Sequence, residues 1–249
     1  MSPTIDPAAD GRSTGAESAA AIHVVVAAHN EADRIRATLG ALVDAFPEAT
    51  LWVADDGSSD DTAQLARQVG ARVVRSERTI GKGGAMTAAA GAALTDSGGT
   101  AGGGTRKSIF VLCDGDLADS ARELSALVDT IERGDGELAV AAFARRVGGG
   151  VGLALGFARW AIARRCGLVT IAPISGQRAL SESALRDVLP FAAGYGMEIG
   201  MTVDAVRAGH RVVEVELDLE HRASGRTLGG FLHRARQLFD FARVYVARR

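Results

Sequence analysis

Apolar residues along this chain follow two periods, which predict alternating strands and helices. Ile22–Ala28 is an apolar run of the kind buried on both faces in a parallel sheet. Shorter runs recur at Leu51–Asp55, Ala71–Val74, Ser108–Cys113 and Glu137–Ala142, each read as a strand. Between them the spacing becomes helical. Ile35, Leu39, Leu42 and Phe46 share one face, with Asn30 as the expected cap. Ala63, Leu65, Ala66 and Val69 form a short helix closed by Gly70, Lys82–Leu94 is an Ala-rich helix, and Ala118–Glu132 is another. The alternation predicts an α/β fold, an open and mostly parallel sheet with helices on both faces.

The second half is less regular. Helices are expected over Val151–Arg165, Ser181–Leu189 and Gly196–Arg207. Arg211–His221 alternates strictly. Val213, Val215, Leu217 and Leu219 lie on one face, and Glu214, Glu216, Asp218 and Glu220 on the other, the pattern of a half-exposed strand. Leu228–Arg249 reads as an amphipathic helix with Leu232, Ala235, Phe239, Ala242 and Val246 on one side. Asp96–Lys107, rich in Gly, Ser and Thr, is expected to be a flexible loop, and Gly148–Gly150 a mobile turn. Residues 1–20 read as a disordered leader and 21–249 as a single domain.

Composition narrows the function classes. The 249 residues carry 28 Lys and Arg against 30 Asp and Glu, a net charge of −2, which excludes a generally basic nucleic-acid binder. Cys113 and Cys166 are the two cysteines, too few for a disulfide scaffold and consistent with the cytoplasm. No stretch is apolar and long enough for a transmembrane helix. From Arg234 onward the chain holds five Arg and one Asp, a basic face that also suits a peripheral contact with a membrane.

The candidate chemistry lies where predicted strands end. In an open parallel sheet, ligands bind outside the carboxyl ends of the strands. Glu31, Asp55, Asp56, Asp114 and Asp116 all fall there. Converging carboxylates need a cation, and hard oxygen ligands suit Mg²⁺ or Mn²⁺ with phosphate oxygens completing the shell. The alternative for Asp114 and Asp116 is a helix cap and a solvated turn. Thr79–Met86 opens a helix, so its N–H groups and Lys82 can meet a phosphate, although it is not a Walker A loop. His221 falls on the inward register of the last strand, as a core residue or a ligand. Glu198 stands at a glycine-rich helix start, as a first-turn acid or as a carboxylate facing an acceptor hydroxyl.

Taken in order, these segments resemble a GT-A-fold nucleotide-sugar glycosyltransferase. Val24–Glu31 (VVVAAHNE), Val53–Thr62 (VADDGSSDDT), Gly81–Ala85 (GKGGA) and Asp114–Asp116 resemble the motifs of family-two transferases. Pro190–Asp204 (PFAAGYGMEIGMTVD) and His221–Arg222 resemble the glucosyl-3-phosphoglycerate synthases. The resemblance implies that Glu31, Asp56, Lys82 and Asp114 hold the nucleotide. It implies that Asp116 and His221 bind the divalent metal, and that Glu198 faces the sugar or acceptor. Ala27 stands where both families usually have Pro. Gly150–Val151–Gly152–Leu153 stands where the synthases have Gly-Arg-Val-Thr, and Ala223 where Asn follows their His-Arg, so the acceptor clamp is missing.

The sequence therefore leads us to expect a metal-dependent enzyme moving a hexose from a UDP- or GDP-sugar. The acceptor is left open between a small polar molecule and a polyprenyl phosphate. In that role Asp116 and Glu198 carry the catalysis, and a homodimer is compatible with the chain. A nucleotidyltransferase and a non-catalytic nucleotide- or partner-binding domain are the alternatives.

Overall fold

A computed structural model describes residues 20–98, 107–143, 152–219 and 240–248. Seven strands form one sheet: β1 (Ala21–Ala28), β2 (Thr50–Asp55), β3 (Arg72–Arg75), β4 (Ser108–Asp114), β5 (Leu138–Phe143), β6 (Arg178–Ser181) and β7 (Val212–Leu217). Their order is β3-β2-β1-β4-β6-β5-β7. All neighbours are parallel except around β6, which runs antiparallel to both β4 and β5. The mostly parallel α/β sheet expected from the sequence is present. The short strand β6, with one apolar pair between Arg178 and Ser181, carries no alternation long enough to predict it.

The runs are apolar throughout because both faces are covered. Val24 and Val26 of β1 pack with α1 (Ile35–Ala45), a 3-10 segment at Ala118–Leu124 and α4 (Ser125–Glu132). Val25 points the other way, among α3 (Lys82–Gly98), α6 (Glu182–Val188) and α7 (Met197–Arg207). The helix expected over 118–132 is thus a 3-10 turn followed by an α-helix. The short α2 (Thr62–Gln68) ends at Gly70, whose φ of 92° is the left-handed conformation expected of its closing role. A smaller cluster joins α5 (Gly152–Cys166) and α7 to residues 240–247, the described part of the expected C-terminal helix. Among the described residues no helix is long and apolar enough to cross a membrane.

Two local expectations are corrected. Asn30 does not cap α1, which starts at Ile35 with Arg34 before it and no side-chain cap. Glu214 is not on a solvated face: it accepts hydrogen bonds from Ile171 N–H and Ala172 N–H at 2.9 and 2.7 Å. Asp96–Gly98, expected to begin the Gly-rich loop, instead end α3, and Ala20, expected in the leader, packs against the core. Residues 99–106, Gly148–Gly150, residues 1–19 and His221 lie outside the described residues.

Candidate active site

The parallel strands β1, β2 and β4 deliver their carboxyl ends to one edge of the sheet, and antiparallel β6 delivers its amino end to the same edge. Leu112 pairs with Arg178, so Gln177 arrives beside Asp114. The site therefore has two halves.

The first half joins the loops after β1 and β2. Asn30 sits in the left-handed region at φ 56°, a conformation asparagine tolerates better than most residues. Its Oδ1 accepts the Ser59 N–H at 2.8 Å, and its own N–H donates to Ser58 Oγ at 3.0 Å. Glu31 N–H donates to Thr62 Oγ1 at 2.9 Å, and Ala32 N–H to Asp60 Oδ2 at 3.2 Å. The Ser, Asp and Thr positions of the second motif thus hold the backbone of the first. Asp55 is fully buried, accepts Ser58 N–H at 2.9 Å and faces Arg75 at 3.3 Å. Asp56 reaches forward, accepting Ile80 N–H at 2.7 Å and Gly81 N–H at 2.9 Å. It holds the turn that opens α3.

The second half is ionic. Lys82 Nζ lies 2.7 Å from Asp114 Oδ1 and 3.0 Å from Glu198 Oε1. Burial pulls the ammonium down, but the two carboxylates overcome it and hold Lys82 above the usual lysine range. Gln177, also buried, donates to the other oxygen of Asp114 at 2.8 Å. The fit leaves no room for side chains on the backbone between these groups. A Cβ at Gly176 would stand 2.6 Å from Lys82 Nζ, and one at Gly83 would stand 1.9 Å from the Ala192 carbonyl oxygen. Cys113, behind Asp114, is a core thiol that burial pushes up, away from reactivity.

The Asp114–Asp116 turn is fixed from behind by α1. The buried Thr38 hydroxyl donates to Gly115 carbonyl at 2.8 Å and accepts Ala118 N–H at 2.9 Å, while Arg34 donates to the Asp116 carbonyl at 3.0 Å. Asp114 is not a helix cap, since the following 3-10 segment has Leu117 at its cap position and no side-chain cap. Asp116 Oδ1 is buried and has no hydrogen-bond partner among the described residues. An orphaned buried carboxylate oxygen at a strand's carboxyl end fits a divalent cation. Among the described residues no group of three or more potential ligands forms a metal site by itself. His221, the second expected ligand, lies outside them.

The structure thus brings Lys82, Asp114 and Glu198 together, places Asp56 beneath the Lys82 turn, and sets Glu31 on the rim of the first half. Sequence reasoning missed Gln177, Arg178 and Thr38. Gln177 precedes and Arg178 opens an unpredicted strand, and Thr38 looked like one more residue of an amphipathic helix. The sole available signal for the first pair was Gly176, a glycine between polar residues ahead of an apolar pair.

The family model "Glycosyl transferase family 2" matches residues 23–169, more than half of the chain. The chain is 32% identical over 235 residues to a glucosyl-3-phosphoglycerate synthase of Mycolicibacterium paratuberculosis, covering 83% of this chain and 67% of that protein. It is 26% identical over 224 residues to an undecaprenyl-phosphate mannosyltransferase of Micrococcus luteus, covering 82% and 85%. The chain thus spans about two thirds of the length of the synthase. A crystal structure of the Mycobacterium tuberculosis synthase with Mn²⁺, UDP-glucose and phosphoglyceric acid superposes with a TM-score of 0.66. It shares 28% identity and covers 92% of this chain and 79% of that one. The same synthase with Mn²⁺, UDP and glucosyl-3-phosphoglycerate gives 0.65.

Proposed function

The chain belongs to glycosyl transferase family 2 and is a hexosyltransferase of GT-A fold; from that premise we propose that it moves a hexose from a UDP-sugar to a phosphate-bearing acceptor with the help of a divalent cation. The observation that carries the reading is the pairing of two unlike groups at one sheet edge. Lys82 brings a positive charge to the start of α3, and Asp116 keeps a buried oxygen that has no hydrogen-bond partner among the described residues.

In this reading the diphosphate lies over the N-terminus of α3, where backbone N–H groups and Lys82 meet it. Glu31 and Asp56 line the nucleoside side, and Asp114 stands at the ribose. Asp116 and His221 would hold the cation, Mn²⁺ or Mg²⁺, which would supply positive charge to offset the negative charge of the diphosphate. An acceptor oxygen forms a bond to the anomeric carbon as the bond from that carbon to the diphosphate breaks, and UDP leaves with the electron pair. The acceptor proton goes to Glu198 if the anomeric carbon inverts, or to the departing phosphate oxygen if it is retained. Glu198 is nearly buried and bonded to Lys82, so it also senses whether the diphosphate has drawn Lys82 away.

Two acceptors follow from the relatives' names: a phosphoglycerate and a polyprenyl phosphate. The second is favoured by the coverage of the mannosyltransferase, which this chain spans at 85% of its length. The test is calorimetric titration of UDP-glucose, UDP and GDP-mannose with and without Mn²⁺ or Mg²⁺, followed by product analysis with each acceptor. The expected result is cation-dependent binding of the uridine ligands, lost in Asp116→Ala. Binding of none of them overturns the reading. Release of pyrophosphate instead of UDP makes the chain a nucleotidyltransferase.

A further inference from the structure

Arg178 is a fully buried arginine at 1% exposure, the largest such side chain among the described residues, and the reaction sketched above does not use it. Its Nε donates to the Ser175 carbonyl at 2.9 Å and its Nη1 to Thr202 Oγ1 at 3.0 Å. Each contact begins a path to the same place. On one side, the Ser175 hydroxyl donates to Gln177 Oε1 at 3.2 Å, and Gln177 donates to Asp114 at 2.8 Å. On the other, Thr202 donates to the Glu198 carbonyl at 3.0 Å, and Glu198 receives Lys82. Lys82 and Asp114 close the circuit at 2.7 Å. Seven residues from β4, α3, β6 and its preceding loop, and α7 thus form a closed ring.

The charges in this ring are two cations, Lys82 and Arg178, against two anions, Asp114 and Glu198. Burial brings the Arg178 guanidinium down to about 10, opposed by the fields of Glu198 and Glu214, so it remains ionised at neutral pH. Without it, the two carboxylates outnumber Lys82, and the surplus negative charge faces the place where a diphosphate must enter. Among the described residues Arg178 meets no carboxylate directly and its Nη2 has no partner, a costly arrangement for a buried arginine. Packing alone would be served as well by an apolar side chain of similar volume.

We propose that Arg178 is a positioning residue of the donor site, whose buried positive charge offsets Asp114 and Glu198 so that Lys82 is presented to the diphosphate with its own charge to spare. This rests on the donor reading given above. It assigns to the amino end of β6 a part in nucleotide affinity, at one remove from the ligand.

The test is the affinity for UDP plus Mn²⁺, measured by calorimetry on the full chain in five proteins: unaltered, Arg178→Met, Arg178→Lys, Glu198→Gln, and Arg178→Met combined with Glu198→Gln. Arg178→Met is expected to weaken UDP binding about tenfold, the scale of one lost charge-assisted interaction. In the Glu198→Gln background, where the surplus charge is gone, the same change is expected to cost less than about twofold, a coupling that a packing defect does not produce. Arg178→Lys keeps the charge and is expected to stay within about threefold of the unaltered protein. Should Arg178→Met not fold, the lysine variant still decides, because a tenfold loss there overturns the role of charge. Undiminished UDP binding in Arg178→Met, or an equal loss in both backgrounds, overturns this proposal alone. Absence of UDP binding in the unaltered protein overturns the donor reading and this proposal with it.

Discussion

The loops after β1 and β2 and the cluster around Lys82 hold adjacent parts of one rim by opposite means. In the first, the side chains of Asn30, Ser58 and Thr62 accept hydrogen bonds from backbone N–H groups, and the Ser59 hydroxyl donates to Asn30 Oδ1, much of it near solvent. In the second, Lys82 is held by ionic contacts with Asp114 and Glu198, and Gln177 adds one hydrogen bond to Asp114, all of them partly withdrawn from solvent. Uncharged bonds to backbone fix a shape whether or not a ligand is there. A charge held between two carboxylates is fixed only while nothing more attractive arrives. The difference teaches that the first region is built to hold still and the second to respond.

The sharpest way to break this contrast is at the seam between the ionic cluster and its neighbours. Gly83→Ala puts a methyl group 1.9 Å from the Ala192 carbonyl oxygen, backbone that cannot swing aside. A loss of about 3 kcal/mol is expected, at the upper end for overpacking, read as a fall in the denaturant midpoint at unchanged slope. Next is Lys82→Met. It leaves Asp114 and Glu198 facing each other without a cation and should cost about 2 kcal/mol, less than a fully buried pair because Lys82 retains partial access to water. Urea unfolding measures it, and UDP binding should vanish with it. A stability cost equal to that of Asn30→Ala would erase the distinction between the regions.

Asn30→Ala should cost about 1 kcal/mol, from the left-handed backbone and the lost Ser59 bond together. Asn30→Gly should recover the backbone part, and thermal unfolding of the two variants separates the contributions. The smallest effect is remote from both regions. His23, near the amino end of β1, is buried against Phe110, and burial depresses its pKa below the usual histidine value. The neutral ring is the form the fold accepts, so its contribution is present above the ordinary histidine range and fades as pH falls through and below it. A few tenths of a kcal/mol should separate unaltered protein from His23→Phe between about pH 7 and 5, measured as a difference in the slope of stability against pH.

The strands β1, β2 and β4 and the helices between them were legible because runs buried on both faces, and helices with one wet face, leave distinct periods. The candidate site residues Asp56, Asp114 and Asp116 stood out because they fall directly after such a run, and Lys82 because it opens the next helix. Gln177 and Arg178 were illegible for the converse reason. They sit just before and at the start of a strand of four residues, and their distant partners, Asp114 and Thr202, are 63 and 24 positions away, so no local spacing marks them. Asn30 was misread because a helix cap and a left-handed loop residue ask for the same side chain. Glu214 was misread because an alternating strand at a sheet edge looks solvated until another segment, here Thr170–Ala172, folds over it.

The position of β6 also bears on the order in which the chain can assemble. It lies between β4 and β5, yet both precede it in sequence. While the ribosome has released only the residues before Arg178, β4 and β5 each present a row of unpaired backbone groups toward the gap that β6 will fill. Both rows are bordered by apolar side chains, the condition in which nascent chains pair with one another. A fragment that stops short of that strand should therefore be prone to clump. Central placement of a late strand makes the sheet an all-or-none structure, sealed in its middle by the segment that also closes the ring around Lys82.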